Sequence, residues 1–380
     1  MNRTEQILEE LISIPSVNPR HTPADGGETR IAEYLAQWAR SRGWQARMDE
    51  VLPGRSNGVV TVPGALPGTI LLQTHSDTVE VQGMTVDPFR MQRTAGRVTG
   101  RGVCDAKGQL AMFMAAVERV AGSNQPHHTI MLAACVDEEE RFRGVLDLCK
   151  RLHPEQVLGA VVGEPTELAL VTSHKGVLRG RILIDGPGGH SSMPDGVVNP
   201  ITVAGEVIAY VATQMGARLR EVTDPQVGAA SLTLTMIDGG DAINIIPRQV
   251  AISYDRRTLP GEDPHAVWSD LQQDLEGRFQ GVRVEEPALA DPGLPHSDTA
   301  LVHTFQSVLS RHDLPAAAVG VPYGSDASKI ARLGIPAMVF GAGSIKQAHT
   351  PDEYLELDQL HRGVEVMTDL LAADLTRGAA

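Results

Sequence analysis

The tetrapeptide His-Ser-Asp-Thr occurs twice in this chain, at positions 75–78 and 296–299. A histidine two residues before an aspartate is a common opening of a metal site. On a strand, residues i and i+2 face the same way. His75 can therefore offer one ring nitrogen to a cation while Asp77 orients the ring from the other. The first copy ends the apolar run TILLQTH, and ligand sites of open α/β sheets gather outside the carboxyl ends of strands. A hydrogen-bonded His–Asp pair without a metal is an equally ordinary reading of these residues alone. The second copy lies between DPGLP and the amphipathic stretch ALVHTFQSVLS. There Ser297 or Asp298 reads as a helix N-cap, and His296 has no special task.

Other ligand-type groups follow further apolar runs. GRGVCDAKG places Asp105 before a Gly-punctuated helix start, and ACVDEEERFRG sets Asp137, Glu138, Glu139 and Glu140 directly after a strand. AVVGEPT ends another strand at Glu164, and GSIKQAHTPDEYLEL carries His349 in a loop beyond AMVFGAG. Singly, each has a plain alternative: a cap, a partner for a helix dipole, or a solvated loop residue. Together they are five ligand-type groups at the ends of several strands of one sheet, which points to a metal site.

The elements that must position these groups can be read from periodicity. Residues 28–42 have helical spacing and end at Gly43, and QARMDEV, NGVVTV and TILLQTH read as strands. KGQLAMFMAAVERVAG reads as a buried helix, TIMLAACV as a strand, RGVLDLCKRL as a helix and GAVVG as a strand. Such alternation predicts an α/β layer sheet. The middle differs: VLRGRILIDG, helix 199–215, ASLTLTMIDGG, QVAISYDRR, helix 263–275 and VRVEEPA give β-α-β-β-α-β, the order of a ferredoxin-like sandwich. After Pro292 the α/β pattern returns with helix 297–311, AMVFGAG and a last helix from about 357. The expected architecture is thus an α/β domain of residues 1–176 and 291–380, with a smaller domain of 177–290 inserted into it.

Composition narrows the partners. A chain of 380 residues exceeds one ordinary core, and its 42% hydrophobic and 21% charged residues are a normal globular balance. With 4% aromatic residues and a net charge of −14, neither nucleic acid nor an anionic membrane is an expected partner. Cys104, Cys135 and Cys149 form no framework and fit reduced thiols in a cytoplasmic protein. The amino terminus reads as a short amphipathic helix without the features of a secretion signal, and no apolar run reaches membrane-spanning length.

At these residues the chain resembles the acetylornithine deacetylase/succinyl-diaminopimelate desuccinylase family of dinuclear zinc amidohydrolases. The likeness runs along nearly the whole chain through HSDTV, GRGVCDAKG, DEE, GEPT, HKG, GHSSMPDGVVNP, GGDAINIIP, DRRTLPGE and AHTPDEY. The ending GSIKQAHTPDEYLE, with GHSS and GGDA, is most similar to the acetylornithine deacetylase branch. The resemblance implies a zinc-peptidase-like catalytic domain and an inserted dimerisation or lid domain. It makes His75, Asp105 and Glu164 ligands of one zinc, with Asp105 bridging to a second held also by Glu139 and His349. Glu138 becomes the general base, and Asp77 the partner of His75. His190 corresponds to the histidine that reaches a neighbouring subunit's active site in a homodimer, and Asn244 and Arg257 to positions in contact with substrate.

Some details depart from the family pattern. This chain has Asp255-Arg256-Arg257 where the family reads Asp, an aliphatic residue, then Arg, and spacing to LPGE selects Arg257. An ion pair of Arg257 with Asp255 or Glu262 is its alternative reading. ERFRG lacks the usual early small residue, and Asn199-Pro200 replaces Asn-Ala. Lys175, near the crossing into the inserted domain, is expected in a hinge or surface role.

Charge counting agrees with two cations. Asp105, Glu139 and Glu164 bring three negative charges with Glu138 adjacent, and such carboxylates raise one another's pKa unless cations screen them. Mixed His and carboxylate ligands suit zinc, with cobalt or manganese also able to occupy the site. The expected activity is hydrolysis of the amide of an N-acyl amino acid, N-acetylornithine first. Succinyl-diaminopimelate, N-acetylcitrulline, N-acetyl-lysine and short peptides are the alternatives. A non-catalytic metal-binding relative would have no need of Glu138. A nucleotide-binding protein would need a phosphate loop, and GGDAIN lies between strands.

Overall fold

The computed structural model describes residues 1–20, 27–123 and 126–376. The chain divides into two compact units. Met1–Thr172, Ser297–Val319 and Ser325–Ala380 form the first, and Ser173–His296 with Gly320–Gly324 the second. No helix among the described residues is long and apolar enough to cross a membrane.

The apolar runs of the first unit build an eight-stranded sheet. Across it the strands are Gln45–Leu52, Arg55–Val62, His128–Cys135, Leu66–His75, Val157–Val162, Ala337–Val339, Val171–His174 and Val319–Val321. Its middle is parallel: Leu66–His75 runs beside both His128–Cys135 and Val157–Val162, and Ala337–Val339 extends the set. Parallel neighbours need crossovers, which helices Lys107–Ser123 and Arg143–Arg151 supply. Strands covered on both faces read as continuous apolar runs, and Leu66–His75 is buried along its last six residues. Register then fixes the site, because His75 pairs with Cys135 and Gln73 with Val162. The segments that follow these three strands leave the sheet side by side.

Helix Lys107–Ser123 is buried from Lys107 through Val117 and packs against helices Arg3–Ile12 and Leu357–Leu371. Lys107 is inside because its Nζ donates to the Ile14 carbonyl at 2.6 Å. Phe305 and Phe340 belong to the same core cluster and meet edge to face, 4.8 Å between centroids. A small sheet of Gln92–Thr94, Arg97–Thr99 and Tyr354–Glu356 was not anticipated. Strands of three residues are too short to display a period.

The second unit has the expected β-α-β-β-α-β order. Strand Ser231–Gly239 lies beside Gln249–Thr258, which lies beside Gly176–Asp185 and then Val282–Val284, all antiparallel. Alternate residues Ile182, Ile184, Val250, Ile252 and Tyr254 face Val207, Val211, Leu271 and Leu275 of the helices. Asn199 and Pro200 make a good helix start: the Asn199 side chain accepts the Ile201 N–H at 3.0 Å, and proline occupies the first turn. The helix passes through a wide turn at Val211–Met215 and continues to Glu221, beyond the expected end at 215. VRVEEPA, read as one strand, is broken at Pro287, which lacks a donor. Val282–Val284 and Leu289–Asp291 pair separately with Gly176–Asp185.

The capping role expected of the second HSDT is corrected. Helix Ala300–Arg311 begins later, with Thr299 at its cap and no side-chain capping bond. Asp298, too far out to reach the first amides, lies 2.6 Å from His303 Nε2, and His296 pairs with Asp224 at 2.6 Å.

Candidate metal centre and active site

The side-by-side strand ends of the first unit carry His75, the acidic turn and Glu164. The loops that hold Asp105, before helix Lys107–Ser123, and His349, before strand Tyr354–Glu356, meet them there. His75 Nε2 stands 3.0 Å from Asp105 Oδ1 and 4.0 Å from Glu164 Oε1. The other oxygen of Asp105, Oδ2, is 3.3 Å from His349 Nε2, which is 3.1 Å from Glu139 Oε1. Ligand atoms of His75, Asp105 and Glu139 lie within 4.8 Å of one another. Asp105 thus sits between two imidazoles with one oxygen toward each. His75 is buried and His349 is 52% exposed at its side chain, so the His349 side is open to a small molecule.

The electrostatics fit a cation site. Burial pushes the carboxyls of Glu138, Glu139 and Glu164 above the ordinary range, and neighbouring carboxylates push them further. Burial opposes ionisation of Asp105 too, but His349 and His75 outweigh it and hold that carboxyl below the usual value. In return, hydrogen bonding to Asp105 and then Glu139 raises His349 to about 10. Four acids share two imidazoles, and divalent cations among these His and carboxylate donors would relieve the excess.

The position of Asp77 refines the sequence reading. His75 Nδ1 lies 2.9 Å from the main-chain oxygen of Asp77, while the Asp77 carboxylate is 3.6 Å away. The carbonyl takes the orienting bond expected of the side chain. The carboxylate instead accepts the N–H groups of Glu138 at 3.1 Å and Glu139 at 3.2 Å, with Asn18 Nδ2 at 2.8 Å. It is turned that way because His75 and Cys135 end in register, so the acidic turn emerges beside it. Asp77 holds the backbone that carries the acid pair. The Glu138 carboxylate takes no hydrogen bond from any described residue.

The acidic turn is anchored from behind. Asp137 receives Arg143 Nη2 at 2.9 Å and Arg55 Nη2 at 3.0 Å. Arg55 also pairs with buried Glu28. Gly144, the last residue of ERFRG, is required by space, since a Cβ there would lie 2.3 Å from the Val136 oxygen. Sequence reasoning missed several supports. Asn18 bridges Asp77 and Asp137, and Gln109 Nε2 ties the Cys104 carbonyl at 2.8 Å to that of Ala342 at 2.7 Å. Glu353 and Asp326 are buried acids nearby in the same unit. The one signal for them is a polar residue within a run of buried positions, which sequence alone does not reveal.

The remaining candidates lie in the second unit. His190 is exposed on the two-residue strand Gly189–His190, paired with Ile245–Ile246, and its Nδ1 accepts from the Ser192 hydroxyl at 2.8 Å. Asn244 is its neighbour, with a carbonyl that accepts the Ser191 N–H at 3.0 Å. Arg257 is engaged by Asp255 at 2.7 Å, and Asp255 also holds Arg179 at 2.8 Å. The ion-pair alternative is the geometry found. Arg256 is buried against Glu262 at 3.3 Å. Lys175, expected at a hinge or surface, is buried with its ammonium on the Ala229 carbonyl.

Comparison with known proteins gives this arrangement a family. Residues 71–373 match the model of peptidase family M20/M25/M40. The acetylornithine deacetylase of Vibrio campbellii is 31% identical over 370 residues, covering 96% of each chain. That of Vibrio cholerae is 29% identical over 375 residues, with the same coverage. The aminopeptidase PepT of Bacillus cereus shares the fold with a TM-score of 0.77 at 21% identity, over 97% of each chain. A dinuclear metal-binding M20 peptidase of Bacillus subtilis does so with a TM-score of 0.71 at 17% identity, over 97% of each. The inserted smaller sheet and the strand-end cluster of histidine and acids accord with these likenesses, and the chain belongs to peptidase family M20/M25/M40 as a metal-dependent amidohydrolase.

Proposed function

We propose that the cluster holds two divalent cations, zinc by preference, and that the chain deacylates N-acyl amino acids, N-acetylornithine above others. The observation that carries this reading is Asp105, with one oxygen toward His75 and the other toward His349. His75, Asp105 and Glu164 would hold one cation, and Asp105, Glu139 and His349 the other. Bound there, the cations would polarise the amide carbonyl and lower the pKa of water toward about 7. Glu138 takes the proton of the attacking water and hands it to the departing amine nitrogen. Asp77, by fixing both amides of the acid pair, lets one carboxylate turn to the cations while its neighbour stays free. The full-length likeness to acetylornithine deacetylases supports that substrate.

The test is amine release by chelated and zinc-reloaded protein on N-acetylornithine, N-succinyl-diaminopimelate, N-acetylcitrulline, N-acetyl-lysine and dipeptides. Chelation is expected to abolish turnover and zinc to restore it, with kcat/KM highest on N-acetylornithine. Preference for another amide would replace the substrate. No release from any amide by reloaded protein would remove the deacylase reading.

Residues 177–290 act in this reading as a dimerisation and lid domain, with His190 reaching the partner's site beside Asn244. Strand Ser231–Gly239 supports a homodimer, because it is the edge of its sheet and leaves Met236 70% and Ile237 59% exposed. Apolar edges of this kind call for a cover. The double variant Met236→Lys/Ile237→Glu is expected to be monomeric by light scattering, to keep its metal and to lose turnover. A monomer with full turnover would exclude His190 acting on a partner.

A further inference from the structure

Glu353 is fully buried and takes no part in the chemistry above. Its place follows from the small sheet: Tyr354 pairs with Thr99, so the residue before the one strand meets the loop after the other. The main-chain oxygen of Glu353 accepts the Gly100 N–H at 3.3 Å. Its carboxylate then collects four donors. Oε1 accepts the N–H of Cys104 at 2.8 Å and of Asp105 at 3.0 Å. Oε2 accepts the N–H of Gly102 at 3.0 Å and Arg101 Nη1 at 2.8 Å. Gly102 turns its amide inward at φ +88°, which a side chain would resist.

We propose that Glu353 is the positioning residue for Asp105, a role that rests on Asp105 being the ligand shared by both cations. Bonds from amides to an ionised carboxylate are roughly twice as strong as neutral ones, and these three clamp the loop up to the ligand's own N–H. Glu353 also follows His349 by four residues, so one short segment supplies a ligand of one cation and the anchor of the shared ligand. The arrangement couples the His349 and Asp105 loops, which lie far apart in the chain. A glutamine could not replace it. One of its two terminal atoms would be an NH₂ donor facing other donors, and two of the four would lose their acceptor.

The test compares Glu353→Gln with Glu356→Gln, a control at the far end of the strand that Glu353 precedes, whose side chain is partly exposed and pairs with Arg97. Metal-free proteins are titrated calorimetrically with Zn²⁺, and their Co²⁺ forms are read by visible absorption. Glu353→Gln is expected to weaken ion binding by about 10–100-fold, to alter the cobalt spectrum and to lower kcat with KM little changed. Glu356→Gln is expected to match wild type. Unchanged affinities and spectrum in a folded Glu353→Gln protein would overturn the proposal. Should that variant not fold, hydrogen exchange on metal-free wild type decides. Protection of the Gly102, Cys104 and Asp105 amides comparable to that of strand Leu66–His75 supports the clamp, and fast exchange overturns it. Wild type that takes up no divalent cation would instead fault the metal-centre reading, and the exchange result would still decide whether Glu353 holds the loop.

Discussion

Glu138→Gln keeps its cations and loses about 10²–10⁴ of kcat, the usual share of a general acid–base group. Glutamine has the same shape, and Asp77 holds residue 138 through its backbone N–H, which the change leaves alone. The Glu138 carboxylate takes no hydrogen bond among the described residues, so the substitution strands no donor. Stability points the same way. Burial first, and then Glu164 and Asp326, hold the Glu138 carboxyl well above its ordinary pKa in the metal-free chain. Its charged form is therefore disfavoured by folding at neutral pH, and a neutral amide removes that penalty. The metal-free variant is expected to melt no lower than wild type. Amine release, metal content by mass spectrometry and a melting curve check the three statements. Undiminished turnover at unchanged metal content would take Glu138 out of the mechanism.

Asp105→Ala is expected to cost more, because in the proposed centre both cations would depend on the one carboxylate. Removing Glu139 or Glu164 takes a ligand from one site, whereas removing Asp105 takes one from each and leaves His75 and His349 without the acid between them. Zinc affinity at both sites should fall by more than the ~10–100-fold typical of losing a residue that only supports a ligand, and turnover should vanish with it. Titration of the metal-free variant with zinc measures this directly. Retention of one site at wild-type affinity would show that Asp105 serves a single ion.

The candidate ligand set was legible because strand ends are legible. TILLQTH, TIMLAACV and GAVVG are largely apolar runs, as buried parallel strands must be, and each ends in or is followed at once by a ligand-type residue. Their adjacency came from register, which only pairing supplies: His75 meets Cys135, and Gln73 meets Val162. What escaped the sequence are groups acting through the backbone. Asp77, read as a partner for the ring, has its carboxylate 3.6 Å from His75 Nδ1 and also serves two amides. Asn18 and Glu353 carry no periodic or motif signal, because a residue that accepts main-chain N–H groups from a distant loop is specified by tertiary approach alone. Arg257 was read as suited to a carboxylate or else paired with Asp255 or Glu262. Asp255, two residues away on the same strand, holds it here, since alternation along a strand places those two on one face.

The wide spread of the ligands along the chain has a consequence for biosynthesis. Parallel pairing joins segments far apart in sequence and is slow to form, and domains assemble as the polypeptide leaves the ribosome from its amino end. A nascent protein makes His75, Glu139 and Glu164 early, yet His349 and the Glu353 carboxylate that receives the Asp105 N–H are synthesised far later. Assembly of the proposed two-ion centre must therefore await the segment that carries His349 and Glu353, and a chain truncated before residue 349 would lack a ligand of one proposed cation.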